Sequence, residues 1–176
     1  MDLLPEKYIS RIEDYIEMIY LKTGALIEAS IVAGGIIGGA DDNTLTLLKE
    51  FGKNIGIAFQ IADDILGTFG DPSITGKPVG SDIKNGKMTI VALLALNRLE
   101  GESLNLFKSV FGNTNASIED VKEVIDVLNN YSIADTARDL MLKYYNSALS
   151  SLRGLPESRD RDFLEAMARF IVEREM

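Results

Sequence analysis

Asp63 and Asp64 stand side by side in the run FQIADDILG, with Gln60 one helical turn before them and Gly67 one turn after. At about 100° of rotation per residue, Gln60, Asp63, Asp64 and Gly67 share one stripe of a helix, beside an apolar one. Like charges side by side near a helix C-terminus repel each other and meet the negative end of the helix dipole. A cation relieves both conflicts. Mg²⁺ suits this setting, because it keeps most of its waters and takes one or two protein oxygens plus substrate phosphate. The plain alternative is a solvated acidic helix end. Gly67 shifts the balance, since a glycine inside a helix costs about 1 kcal/mol and leaves room for something to approach closely.

Cationic residues complete the set. Lys22 has Met18, Ile19, Ala25 and Leu26 as its helical neighbours, all apolar. A lysine on such a face must snorkel, pair or meet an anion. With Thr23 beside it and Gly24 thinning the helix, phosphate contact competes with snorkelling. Further on come Lys77 in TGKP and Lys87 in DIKNGK. Single lysines in loops are usually just solvated, so the pointer is their combination with the acids upstream. The chain has no His and no Cys, which removes the nucleophilic triads, the thiolate sites and the commonest general base. Carboxylates, a hard cation and lysines around a diphosphate suit ionisation of a diphosphate leaving group, where electrostatics carries the chemistry.

The elements that position these residues read as helices. Leu45, Leu48, Gly52, Ile55, Phe59, Ala62, Leu66 and Phe69, apolar apart from the glycine, recur in steps of three and four, with Asp41, Asp42 and Asn43 as N-terminal capping residues. The same spacing predicts helices over 5–38 (with a break near Ser10), 83–99, 102–111, 118–129, 133–152 and 158–174. Ser117 and Asp120 have capping-box spacing at the start of one of them. No strand-like alternation of useful length appears. The long connection is Gly70–Asp82, GDPSITGKPVGSD, which holds two of the four prolines. The expectation is an all-α helical bundle, a single domain over 1–176. A net charge of −9 argues against a nucleic-acid partner. The weakly charged stretch Gly24–Ala40 is broken by Glu28 and carries five glycines, so no membrane span is expected. With no leader pattern, the default location is cytoplasmic.

Two segments are similar to a known family. Phe59 to Leu96, FQIADDILGTFGDPSITGKPVGSDIKNGKMTIVALLAL, resembles the second aspartate-rich motif of trans-isoprenyl diphosphate synthases (polyprenyl synthetases). Tyr15 to Ser30, YIEMIYLKTGALIEAS, resembles that family's Lys-Thr helix, and the ending FLEAMARFIVERE is also family-like. The resemblance implies the C-terminal part of the isoprenoid synthase fold, built around a deep apolar cavity. It implies Mg²⁺-dependent condensation of isopentenyl diphosphate with an allylic diphosphate. In that scheme Asp63, and Asp64 through water, hold a Mg²⁺ that bridges the allylic diphosphate. Lys22, Lys77 and Lys87 neutralise its oxygens. Thr23 and Gln60 line the same site and act on the developing carbocation or on proton loss, and Phe59 offers a π-rich surface to the cation. Many members have a third Asp where this chain has Gly67. The family's first aspartate-rich motif and its isopentenyl-diphosphate-binding residues are expected to precede Met1, so the 176 residues are expected to be inactive alone. A homodimer, or association with a longer homologue as a non-catalytic partner, is the expected assembly.

Overall fold

The structure is a computed structural model and describes residues 10–72, 76 and 78–173. Among the described residues it is all helix and turn, as the spacing predicts. In chain order the elements are α1 (Ile12–Ile19), a π-helical segment (Tyr20–Gly24), α2 (Ala25–Ile37) and α3 (Asp42–Phe69). After these come α4 (Ser81–Lys84), α5 (Ile90–Arg98), α6 (Gly101–Val110), α7 (Ile118–Asn130), α8 (Ile133–Arg153) and α9 (Arg159–Glu173). Lys77 and the part of the first predicted helix before Ser10 lie outside the described residues.

The chain divides into two compact units. Within the described residues, one comprises Ile16–Ala62 with 140–173, and the other 10–15 with Asp63–Asp139. In the first unit α3 starts where the acids place it, with Asp41 Oδ1 accepting the Thr44 N–H at 2.8 Å. Glycines let the KTG stretch lie directly on this helix. A Cβ at Gly56 would stand 2.7 Å from Gly24 Cα, and one at Gly52 would stand 2.8 Å from Glu28 Cα. Backbone touches backbone at both points, so neither site can shed strain by rotating a side chain. Gly56→Val is therefore expected to destabilise the fold by roughly 3 kcal/mol, read as a lower denaturant midpoint at unchanged slope.

The π-helical turn over Tyr20–Gly24 was not visible in the spacing. Such turns are rare and concentrate at functional sites, and this one carries Lys22 and Thr23. The helix that follows, α2, is apolar nearly all round, yet none of its residues is buried. Leu26, Ile36 and Ile37 stand exposed. The continuous helical stretch Ile12–Ile37 is long and apolar enough to cross a membrane by length and composition.

In the second unit, α5 is enclosed from Ile90 through Ala95. The helix predicted over 83–99 is in fact two, α4 and α5, parted by a turn at Gly86. There φ is +65°, and an added Cβ would stand 3.0 Å from Gly112 Cα. The Asn85-Gly86 pair supplies the turn, and the bare glycine lets the Gly112 backbone pass close beside it. The capping box at Ser117 forms as predicted: its hydroxyl accepts the Asp120 N–H at 3.0 Å, and Asp120 Oδ2 accepts the Ser117 N–H at 2.9 Å.

Candidate functional site

The two adjacent acids on α3 meet different surroundings. Asp64 is buried and Asp63 is exposed. The Tyr15 hydroxyl donates to Asp64 Oδ2 at 2.6 Å, and the Ile90 N–H donates to the same oxygen at 3.1 Å. Ile90 opens α5, whose N-cap Thr89 accepts the Ala92 N–H through its hydroxyl at 3.2 Å. Asp64 thus serves as a second cap on that helix, where the dipole favours negative charge. The conflict seen in the sequence is met for Asp64 by a helix N-terminus and a tyrosine. Asp63 keeps its carboxylate at the surface.

Tyr15 is fully buried, and its hydroxyl is raised well above the usual tyrosine value, first by burial and then by the Asp64 carboxylate. A raised folded value contributes stability that is complete below the unfolded value of about 10 and is lost as pH climbs toward the folded one. Melting midpoints should therefore fall once pH exceeds about 10. In Tyr15→Phe that alkaline decline should be shallower, as calorimetry across pH would show.

Asp82, which the motif reading did not single out, sits beside the same stretch of α3. A Cβ at Gly67 would collide with Asp82 Oδ2 and stand 2.7 Å from its Cγ. The space that Gly67 was expected to leave is filled by a carboxylate of the chain itself. Lys87 Nζ donates to Asp82 Oδ1 at 2.6 Å. That bond is the largest cause holding the Lys87 ammonium above its usual value; burial opposes it, and the charges of Asp82, Asp63 and Asp64 add to it. The second unit therefore brings together Asp63, Asp64 and Lys87 from the predicted set, with Asp82 and Tyr15 as additions. An unexplained glycine in a helix was the one sequence pointer to Asp82; nothing in the spacing pointed to Tyr15.

In the first unit, the Thr23 hydroxyl donates to Gln60 Oε1 at 3.0 Å, joining two predicted residues across 37 positions of chain. Lys22 lies exposed in the π-helical turn. Phe59 lines an apolar groove of about 560 Å³, together with Ile27, Ile31, Phe51 and Ile55 and with Phe163, Met167 and Phe170 of α9.

Among the described residues no three acidic side chains gather into a ready-made cation site. The donor chemistry fits Mg²⁺ in its usual manner, through one or two protein oxygens with water completing the shell. The exposed carboxylate of Asp63 supplies such an oxygen, and nothing here offers the nitrogen or sulfur donors of a transition-metal site.

The model of the polyprenyl synthetase family matches residues 1–128. The chain belongs to the polyprenyl synthetase family. A geranylgeranyl diphosphate synthase of Sulfolobus acidocaldarius is 40% identical over 92% of this chain and 49% of its own length. The crystal structure of geranylgeranyl pyrophosphate synthetase from Pyrococcus horikoshii superposes with a TM-score of 0.87 at 44% identity, over 99% of this chain and 53% of that one. That of geranylgeranyl pyrophosphate synthase from Corynebacterium glutamicum, complexed with isoprenyl diphosphate and magnesium, has a TM-score of 0.85 at 30% identity, over 94% and 47%. The chain spans about half the length of the relatives it matches. Family and all-α fold thus agree with the motif reading, and the polyprenyl synthetases to which the chain is similar are prenyltransferases of isoprenoid biosynthesis.

Proposed function

We propose that this chain is the diphosphate-ionising part of an isoprenyl diphosphate synthase, which joins isopentenyl diphosphate to an allylic diphosphate. The observation that carries the reading is geometric: on one structural unit α3 exposes the Asp63 carboxylate, and one turn on, at Gly67, it seats Asp82, whose Oδ1 holds the Lys87 ammonium at 2.6 Å. Mg²⁺ at Asp63 would supply charge neutralisation of the departing diphosphate. Asp64, fixed by Tyr15 and Ile90, keeps the end of α3 in place, and its water-mediated contact to the metal is assigned by the sequence resemblance. Lys87 donates to diphosphate oxygens as negative charge builds on them. Lys22, Lys77, Thr23 and Gln60 are assigned to the same diphosphate by the sequence resemblance, as is the cation-facing role of Phe59. The apolar groove beside Phe59 suits a prenyl tail. The magnesium and isoprenyl diphosphate of the Corynebacterium glutamicum complex support this reading.

The exposed apolar surface of α2 favours a partner as part of the working enzyme. The reading is tested by assaying condensation of labelled isopentenyl diphosphate with an allylic diphosphate. The chain would be assayed alone and co-expressed with the half of the Pyrococcus horikoshii synthase that it does not span. Product in the co-expressed sample, abolished by Asp63→Ala in this chain, is the expected result. A complex that forms without product would favour the non-catalytic partner role instead.

A further inference from the structure

Asp82 is buried, and the placement of its carboxylate is fixed from two sides. Its Oδ2 occupies the space that a Cβ on residue 67 would need, so the bare backbone of α3 at Gly67 forms a socket that any larger residue would fill. Its Oδ1 accepts from Lys87 Nζ at 2.6 Å, and the Lys87 N–H donates to the Asp82 carbonyl at 3.0 Å. The two residues are tied through both backbone and side chain, across a turn that Gly86 closes. The Lys87 side chain remains 49% exposed while that of Asp82 is 6% exposed. One end of the ion pair is anchored, and the other faces outward.

An ammonium carries three donors, and the bond to Asp82 uses one of them. Lysine is a flexible stem that loses rotamer freedom when it grips a ligand, and holding it in advance lowers that cost. Release of Lys87 would leave a buried carboxylate unpaired, which is strongly unfavourable. The geometry therefore favours an ammonium that stays on Asp82 while its other N–H groups meet an anion.

We propose that Asp82, seated in the Gly67 socket, is a positioning residue that holds the Lys87 ammonium where it meets the diphosphate oxygens. The role rests on the diphosphate reading of Lys87. It also gives the glycine of DDILG a purpose: the position after the paired acids is kept empty so that a carboxylate from the following turn can enter.

The test is calorimetric titration of Mg²⁺ with inorganic diphosphate into the whole chain and its variants. These are Asp82→Asn, Gly67→Ala, Lys87→Ala, and the doubles Asp82→Asn/Lys87→Ala and Gly67→Ala/Lys87→Ala, each checked by thermal melting. Asn keeps the shape of Asp beside Gly67, and Ala favours helix more than glycine does, so neither change weakens α3 by itself. Asp82→Asn and Gly67→Ala should each weaken binding about 5- to 10-fold, because a charge-assisted bond to the ammonium is lost or displaced. Each double should bind no more weakly than Lys87→Ala alone, since a residue that acts through Lys87 has no effect in its absence. A merely structural Asp82 would lower the melting midpoint but show no such coupling. Multiplying losses in the doubles, or tighter binding by Asp82→Asn, would overturn the positioning role alone. A wild-type chain that binds no magnesium diphosphate, or a Lys87→Ala variant that binds as wild type does, would overturn the diphosphate reading and this role with it.

Discussion

Asp64→Ala should cost the fold about 3–5 kcal/mol, while Asp63→Ala, one residue away, should leave the melting midpoint essentially unmoved. Asp64 is buried, and one of its oxygens receives both the Tyr15 hydroxyl and the Ile90 N–H. Truncation leaves two donors without an acceptor in places that are 0% exposed, and each orphaned group costs about 1–3 kcal/mol. Loss of the charge at the start of α5 adds to this through the helix dipole. For a chain of 176 residues the sum corresponds to a fall of roughly 10 °C in melting midpoint. Asp64→Asn, which keeps an oxygen in place, should fall by about half as much. Equal effects at both acids would show that they are not in different environments, and the assignment of Asp64 to a structural cap would fail.

Local features of this fold could be read from the chain because local chemistry sets them. The start of α3 at its run of acids and the Ser117–Asp120 box needed only residues within one turn of each other. What escaped was whatever depends on distant partners. The turn at Gly86 was legible in part, since KNGK interrupts the apolar positions between Ile83 and Met88 and its Asn-Gly pair favours a turn, whereas the approach of Gly112 was not. Tyr15 lies 49 positions before Asp64, so no pattern in FQIADD reveals that one of its acids is already satisfied. Gly67 announced a close approach, and the sequence left open what approached; the structure places Asp82 there. The π-helical form of the KTG turn is likewise set by packing. Gly24 and Gly56 bring the two backbones into contact, and helical periodicity cannot distinguish that arrangement from an ordinary turn.

The largest functional effect is expected at Asp63. It is the exposed member of the pair, its partner's carboxylate is committed to Tyr15 and Ile90, and Mg²⁺ in such sites relies on very few protein oxygens. Removal of one of those few should weaken magnesium-dependent diphosphate binding by about 100-fold, in line with the loss of a metal ligand or its close support. Asp63→Asn should be nearly as poor, because the amide oxygen is a weaker ligand for a hard cation. Neither change should disturb folding, so the loss can be read directly as a loss of the site. The most direct measurement is isothermal titration of a non-hydrolysable prenyl diphosphate analogue into the chain, with and without Mg²⁺, alongside Asp63→Ala. Binding that requires Mg²⁺ and disappears in Asp63→Ala is the predicted result. Binding that is indifferent to Mg²⁺ or to Asp63, or no binding under any condition, would contradict the assignment of a metal-diphosphate site to this chain.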